Sequence, residues 1–521
     1  MVNRDLKLLR NIEKYSEEQI PNYLDDLDIK DDKREKFEYP LDIQVIEILN
    51  ELKIREDDDD FRIFYYLDTI KKAWKLIIDK SIKCLRFFDK REPFLENNTK
   101  HPIAYGIDEL SEYFEKYSNF ESMLYGGAKY YRDHVVHVFR VWMLGLDCLL
   151  YNSGAYLKMI EIQKDITINN LEKISIWSMI ALTHDLGYPL EKSQQIIDRT
   201  KDMMKSFVAN PILSMDLSFN GVQNSMNDFV VRFMSSKMKK VNDICPKDNT
   251  KIKEEKYVAR LQPKYYFKFQ KSLEKCKHGI LSSIIIYKLL IYFLESDYNI
   301  NEDYYFKEED ARQFYIRREI LRSIASHTCR DIYHLDMLSF AYLLIIADDS
   351  QEWGRKRISE LYVKDDSLYE FGNITFKFNI KKINVDNEDI DIHECIINEK
   401  FTFVDGDISG LKVTLKSLDL QSKSYKELFR DGQETAKRNF IFRKQCEIIY
   451  DKDRAITYII EFKISNEEKS RFAIKLKSSD MKQARKNFGQ QFLENIYKHK
   501  VIESDKSSGD EIIYELEDND D

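Results

Sequence analysis

The sequence predicts a mainly α-helical protein with a C-terminal α+β domain of antiparallel strands, and three observations carry that expectation. Only 8 prolines and 15 glycines occur among 521 residues, well below ordinary usage, so little interrupts a helix once it has started. Between about residues 101 and 360, long apolar stretches are punctuated by His and Asp. After about residue 365 the apolar period changes to two, as in Ile374, Phe376, Phe378 and Ile380, and again in Ile456, Tyr458, Ile460, Phe462 and Ile464. Alternation of that kind marks half-buried strands.

Taken in order, residues 1–100 read as a charged helical region without a chemical motif. Residues 101–365 form the principal helical domain, and within them 196–270 change character. The Lys-rich stretch KMKKVNDICPKDNTKIKEEK predicts an exposed insertion or lid there. Residues 366–480 form the strand-containing domain, which could serve dimerisation, substrate sensing or a partner. Residues 481–521 form a helical segment and a frayed acidic tail.

Composition bounds the function. The chain is 43% hydrophobic and 33% charged, as a folded protein with a well-solvated surface is. A formal net charge of −9 gives no global field to attract nucleic acid or an anionic membrane. The seven cysteines are scattered, odd in number and never spaced CxxC, which predicts a reducing compartment and excludes a zinc ribbon. The N-terminus has no apolar signal core. Residues 61–88 carry Lys71, Lys72, Lys75, Asp79, Lys80 and Lys83, and Lys288 interrupts 279–294, so neither reads as a membrane span. A soluble, cytoplasmic protein is expected.

Histidine is scarce, nine in 521, so each can be weighed. His134 and His137, three apart in YYRDHVVHVFRVWML, share a helix face, and either could ligate a metal. An apolar helix, ISIWSMIALT, ends in adjacent His184 and Asp185, with Gly187 and Pro189 stopping it. His278 opens the apolar segment HGILSSIIIYKLL, His327 stands near the end of RREILRSIASHT, and the run MLSFAYLLIIA ends at Asp348 and Asp349. Burying such groups costs several kcal/mol (about 2–7 for a neutral polar group) unless they are paired or metal-bound. Four imidazoles and two carboxylates suffice for two divalent transition-metal ions, with Fe, Mn and Zn all accepting this mixed donor set.

The order H…HD…H…H…D resembles the HD-domain superfamily of metal-dependent phosphohydrolases and phosphodiesterases. HVFRV, ALTHDLGYPLEKS, KHGILSSIII, EILRSIASHT and LLIIADDSQEWGR look like its successive motifs. The resemblance covers roughly residues 125–360 and implies a helical bundle with metals inside it. It implies His137, His184, Asp185, His278, His327 and Asp348 as ligands, with Val141 four residues after His137 favouring that residue over His134. Asp185 would bridge the ions, His134 would serve proton transfer, and Asp349 would orient a ligand histidine.

Arg132, Arg140, Lys192, Arg330 and Arg355 flank the motifs and are the phosphate-contact candidates, Lys192 also as a catalytic group. The implied substrate is a phosphate-containing small molecule, in first place a nucleotide. Two departures stand out: Tyr188 occupies the place of the familiar lysine, and 93 residues separate Asp185 from His278. Three other readings remain open. They are a di-iron oxygenase on the same scaffold, a mononuclear deoxynucleoside triphosphohydrolase using His137, His184, Asp185 and Asp348, and a non-catalytic regulatory protein. The state of oligomerisation is left open.

Overall fold

The structure is a computed structural model. It describes residues 4–27, 29, 37–53, 67–89, 106–127, 133–163, 166–206, 222–244, 253–296, 298–300, 304–329, 332, 336–351, 353, 369–385, 388–403, 408–429, 439–451, 456–465, 471–504 and 511–516. It is mainly α with a C-terminal α+β part, as expected. The chain divides into two compact units, Met1–Ile332 with Leu338–Ile358, and Tyr333–Met337 with Ser359–Asp521.

In the first unit the helices are α1 (Arg4–Glu18), α2 (Ile20–Asp25), α3 (Ile43–Glu51), α4 (Leu67–Phe87), α5 (Ile107–Gly127), α6 (Val135–Met159), α7 (Asn170–Thr183), α8 (Tyr188–Met204) and α9 (Val222–Ser235). A hairpin of β1 (Ser236–Ile244) and β2 (Lys253–Leu261) follows, then α10 (Pro263–Glu274), α11 (His278–Leu289), α12 (Ile291–Leu294), α13 (Glu308–Ser326) and α14 (Phe340–Ser350). Helix α7 is the axis of this unit, packed against α4, α6, α13 and α14. Its residues from Leu171 to Thr183 are all buried, which is why its sequence is apolar all round rather than on one stripe. Asn169 and Glu172 start it with reciprocal cap bonds, Glu172 N to Asn169 Oδ1 at 2.9 Å and Asn169 N to Glu172 Oε2 at 3.2 Å. Such a box satisfies two donors that a helix start leaves unpaired. Buried Glu172 is also ion-paired to Arg312 of α13. Three buried indoles lock the layer: Trp74 Nε1 donates to Leu182 O (2.7 Å), Trp142 Nε1 to Ser178 Oγ (3.0 Å) and Trp177 Nε1 to Trp142 O (3.1 Å).

Helix α6 is, among the described residues, the one helix long and apolar enough to cross a membrane, yet 83% of its apolar window is buried inside the unit. It breaks at Tyr151–Gly154, where Asn152, Ser153 and Gly154 have positive φ. Residues 279–294 divide at Leu290 into α11 and α12.

Two expectations about organisation change. Residues 4–87 do not stand apart from the helical domain; α1 packs on α6, and α4 on α7. Of the Lys-rich stretch within 196–270, residues 237–244 and 253–256 belong to a packed hairpin, and 245–252 lie outside the described residues. Met238, Val258 and Ala259 of the hairpin are buried, as are Val230 and Phe233 of α9. Tyr315 of α13 donates to Met238 O at 2.6 Å. The lysines Lys237, Lys239 and Lys240 are exposed on this hairpin, while Met238 between the first two is buried.

In the second unit seven strands run in the order β3-β4-β5-β6-β7-β9-β8. They are β3 (Tyr369–Val385), β4 (Glu388–Phe403), β5 (Asn439–Asp451), β6 (Ile456–Ser465), β7 (Arg471–Lys477), β8 (Val501–Glu503) and β9 (Glu511–Leu516), joined with helices α15 (Ile408–Phe429), α16 (Met481–Phe488) and α17 (Gln490–Tyr497). The alternation holds: Ile456, Tyr458, Ile460, Phe462 and Ile464 are all buried. The sheet is mixed rather than purely antiparallel. β4 and β5 pair in parallel, because α15 carries the chain back to the starting end before β5 begins. The acidic end is ordered further than expected, since β9 pairs with β7 and β8; residues 517–521 lie outside the described residues.

Candidate metal centre

Five helix ends bring the predicted ligands together. His137 lies in the first turn of α6, His184 caps the C-terminus of α7 and Asp185 follows it. His278 opens α11, His327 caps the C-terminus of α13 and Asp348 lies in the last turn of α14. The site therefore sits where buried helices stop, and their ends present polar groups to one point. Three overlapping triads could each hold a metal ion: His137, His184 and Asp185; His184, His327 and Asp348; Asp185, His278 and His327.

Asp185 divides its oxygens between two pairs of imidazoles. Oδ2 lies 3.8 Å from His137 Nε2 and 3.5 Å from His184 Nε2. Oδ1 lies 3.3 Å from His278 Nε2 and 3.6 Å from His327 Nε2. Asp348 Oδ1 stands on the first pair, 2.8 Å from His137 Nε2 and 3.8 Å from His184 Nε2.

Every one of these imidazoles has an acceptor at its other nitrogen. His137 Nδ1 meets Gln351 Oε1, and the Gln351 amide is held by its own donation to Trp353 O at 2.7 Å. His184 Nδ1 faces Ala181 O at 2.8 Å, and His327 Nδ1 faces Ile324 O. His278 Nδ1 faces Glu191 Oε2 at 2.7 Å, and the same oxygen accepts the His278 backbone N–H at 2.8 Å. With each ring neutral and its proton on Nδ1, as the carbonyl and carboxylate acceptors favour, four Nε2 lone pairs would face two carboxylates. Lone pairs against carboxylate oxygens repel unless protons or cations lie between them. His184 Nε2 and His327 Nε2 are buried with no hydrogen-bond partner, the condition that a bound cation relieves. The donor set thus fits a metal.

The electrostatics agree. Burial opposes ionisation of Asp185 and Asp348, yet the surrounding imidazoles hold both carboxyls well below the usual range. His184 is buried too, but Asp185 and Asp348 raise it to about 9. His327 goes the other way, lowered by burial and then, against its bond to Asp185, by the His278 and His184 charges. Four rings of one cluster cannot all be charged; two carboxylates cannot stay ionised there without positive charge.

Two close approaches hold the ligand segments in place. A Cβ on Gly187 would lie 2.4 Å from His278 O, and one on Gly279 2.6 Å from Ile324 O and 3.0 Å from His327 Cε1. Gly187 N also donates to Ser282 Oγ at 2.8 Å. Both positions admit only glycine without displacement.

The remaining candidates fall differently. His134 is not in the cluster: it precedes α6, its N–H donates to Glu121 Oε1 at 2.7 Å, and its ring stacks on Tyr188 at 3.7 Å between centroids. Tyr188 in turn lies edge-on to His278 at 5.2 Å, and Lys192 Nζ stands 4.8 Å above the Tyr188 ring. Lys192, Tyr188 and His134 thus form one stack beside the centre. Arg140 does not face the site. It is 4% exposed, gripped by Asp5 of α1 (Nη2 to Oδ2 2.8 Å, Nε to Oδ1 3.0 Å) and donating to Trp353 O at 3.3 Å. Its satisfied guanidinium is a structural clamp rather than a phosphate contact, because Trp353 Nε1 also donates to Asp5 Oδ1 at 2.8 Å. The orienting role expected of Asp349 is filled at the four Nδ1 atoms by Gln351, Ala181, Glu191 and Ile324. Arg132, Arg330 and Arg355 lie outside the described residues. Sequence reading missed Glu191 and Gln351; Gln351 directly follows α14, and Glu191 lies in the first turn of α8, six residues after Asp185.

Comparison of the chain with family models, with curated proteins and with solved structures returned no match.

Proposed function

We propose that the protein is a metal-dependent phosphohydrolase or phosphodiesterase of the HD type, acting on a nucleotide or another phosphate ester. The observation that carries this reading is the division of Asp185 between two imidazole pairs whose Nδ1 atoms are all engaged. His137, His184, Asp185 and Asp348 would hold one ion, and His278, His327 and Asp185 a second. When bound, such ions activate water as a nucleophile and neutralise charge on phosphoryl oxygens. The chain's own part is preorganisation. Its imidazoles are fixed in one tautomer, Asp185 and Asp348 stay ionised, and the apolar helices around them keep bulk water out. Lys192, half-buried above Tyr188, is the described cation best placed to meet a phosphate, and His134 beside it could carry a proton.

The test combines metal analysis of replete protein with a screen of nucleotides for phosphate or nucleotide release. Close to two ions per chain and metal-dependent release are expected, and replacing His184 and Asp185 together by Ala should abolish both while leaving the far-UV circular dichroism intact. Retained turnover by that variant removes the site. One ion per chain selects the mononuclear set His137, His184, Asp185 and Asp348, and iron with substrate-linked oxygen uptake selects an oxygenase.

A further inference from the structure

Helix α13 carries, besides His327, two arginines that form no ion pair among the described residues, although the Glu319 charge acts favourably on Arg318. Arg318 and Arg322 are four apart, so their side chains leave one face with Cβ atoms about 5–6 Å from each other. Arg318 is 7% exposed. Its Nη1 donates to Ser236 O at 3.1 Å, and its Nε is buried without a partner. Arg322 Nε is likewise buried without a partner, and its guanidinium lies 3.9 Å from the centroid of Tyr265 on α10. Arg318 stands 4.8 Å from the Tyr315 ring centre.

Among the described residues, no carboxylate forms an ion pair with either group. The contrast with other arginines of this unit is direct: Arg140 is paired with Asp5, Arg312 with Glu172, and Arg317 with Asp89 and Glu295. Burial, and next the Arg322 charge, lower the Arg318 guanidinium to about 10. A buried cation facing a like charge is costly unless something negative completes it.

We propose that Arg318 and Arg322, walled by Tyr265 and Tyr315, form a binding site for a phosphate group separate from the metal centre. Two adjacent guanidinium forks suit a ligand with several acceptor oxygens and a charge of about −1.5 to −2, which a phosphate supplies and a carboxylate does not. Arg318 Nη2 and both terminal nitrogens of Arg322 make no hydrogen bond within the protein among the described residues, so they remain for the ligand. The helix that brings Tyr265 also carries Lys264, Lys268 and Lys271 against one carboxylate, Glu274, so that helix is net positive although the chain's net charge is −9. The site is distinct from the catalytic proposal: at about 100° per residue, Arg322 and Arg318 point about 140° and 180° round the helix from His327. It holds whether or not the metal centre is a hydrolase.

Inorganic pyrophosphate, titrated by calorimetry at constant ionic strength in the presence of EDTA, is the probe, with the full chain as the sample. Saturable binding is expected in the wild type and in His184→Ala, weakened by about tenfold or more in Arg322→Gln, whose half-exposed position spares the core. Arg318→Gln should behave alike; if it does not fold, Arg322→Gln alone decides. Absence of saturable binding in the wild type, or equal affinity in Arg322→Gln, overturns the proposal. Loss of binding in His184→Ala with retention in Arg322→Gln places the anion at the metal centre and overturns it equally.

Discussion

At His137 the two ring nitrogens have separate tasks, and the second decides how well the first can serve. Gln351 accepts from Nδ1 and is itself fixed by the Trp353 carbonyl, which Arg140 also contacts while Asp5 holds both the arginine and the indole. Gln351→Leu keeps the volume roughly and removes the acceptor. Metal affinity measured against a competing chelator should fall about 10–100-fold, as losses of such orienting partners do. Unchanged affinity would mean that the ring is oriented by packing alone. The ligands themselves were legible because His or Asp on an otherwise apolar helix demands an explanation in solvation energy. Their partners were not, because Ala181 and Ile324 act through backbone carbonyls that leave no trace in residue type. Arg140 was misread for a related reason: its partner Asp5 lies 135 residues away, a distance no local pattern bridges.

Among elements, the helices α11 and α13 meet at Gly279 with no room for a methyl group. Gly279→Ala sets a Cβ against the Ile324 carbonyl and the Thr328 hydroxyl, each 2.6 Å away. A backbone carbonyl cannot swing aside as a side chain can, so a loss of about 1–3 kcal/mol in chemical denaturation is expected. His327 and His278 would also be pushed apart, so metal uptake should weaken together with stability; a variant as stable as wild type would show that the contact relaxes freely. Helices and late strands could be read from their apolar periods. The hairpin of Ser236–Leu261 could not, since its first strand offers little apolar alternation beyond Met238 and Val241 among lysines. The parallel β4–β5 pair was equally hidden, because alternation reveals a strand but not its direction. Trimming residues 236–256 would therefore cut into packed structure at buried Met238, whose carbonyl accepts from Tyr315.

For the whole molecule, two compact units and a candidate metal centre built, among the described residues, wholly from the first predict unequal responses to chelation. Metal ions that bind only the folded unit stabilise it by mass action. Calorimetry should show a transition that falls in temperature when EDTA is added and another, from Ser359–Asp521, that does not move. Equal displacement of both would mean that the units unfold as one. The span between ligands has a further consequence for synthesis. His137 and Asp348 touch across 211 residues, and Gln351, which orients the first histidine, is made after every ligand. A nascent chain that already carries all four histidines thus lacks both the second carboxylate and the group that aims His137. The donor set around His137 is therefore complete only in a chain that extends through residue 351, whereas Asp185, His278 and His327 are all present by residue 327.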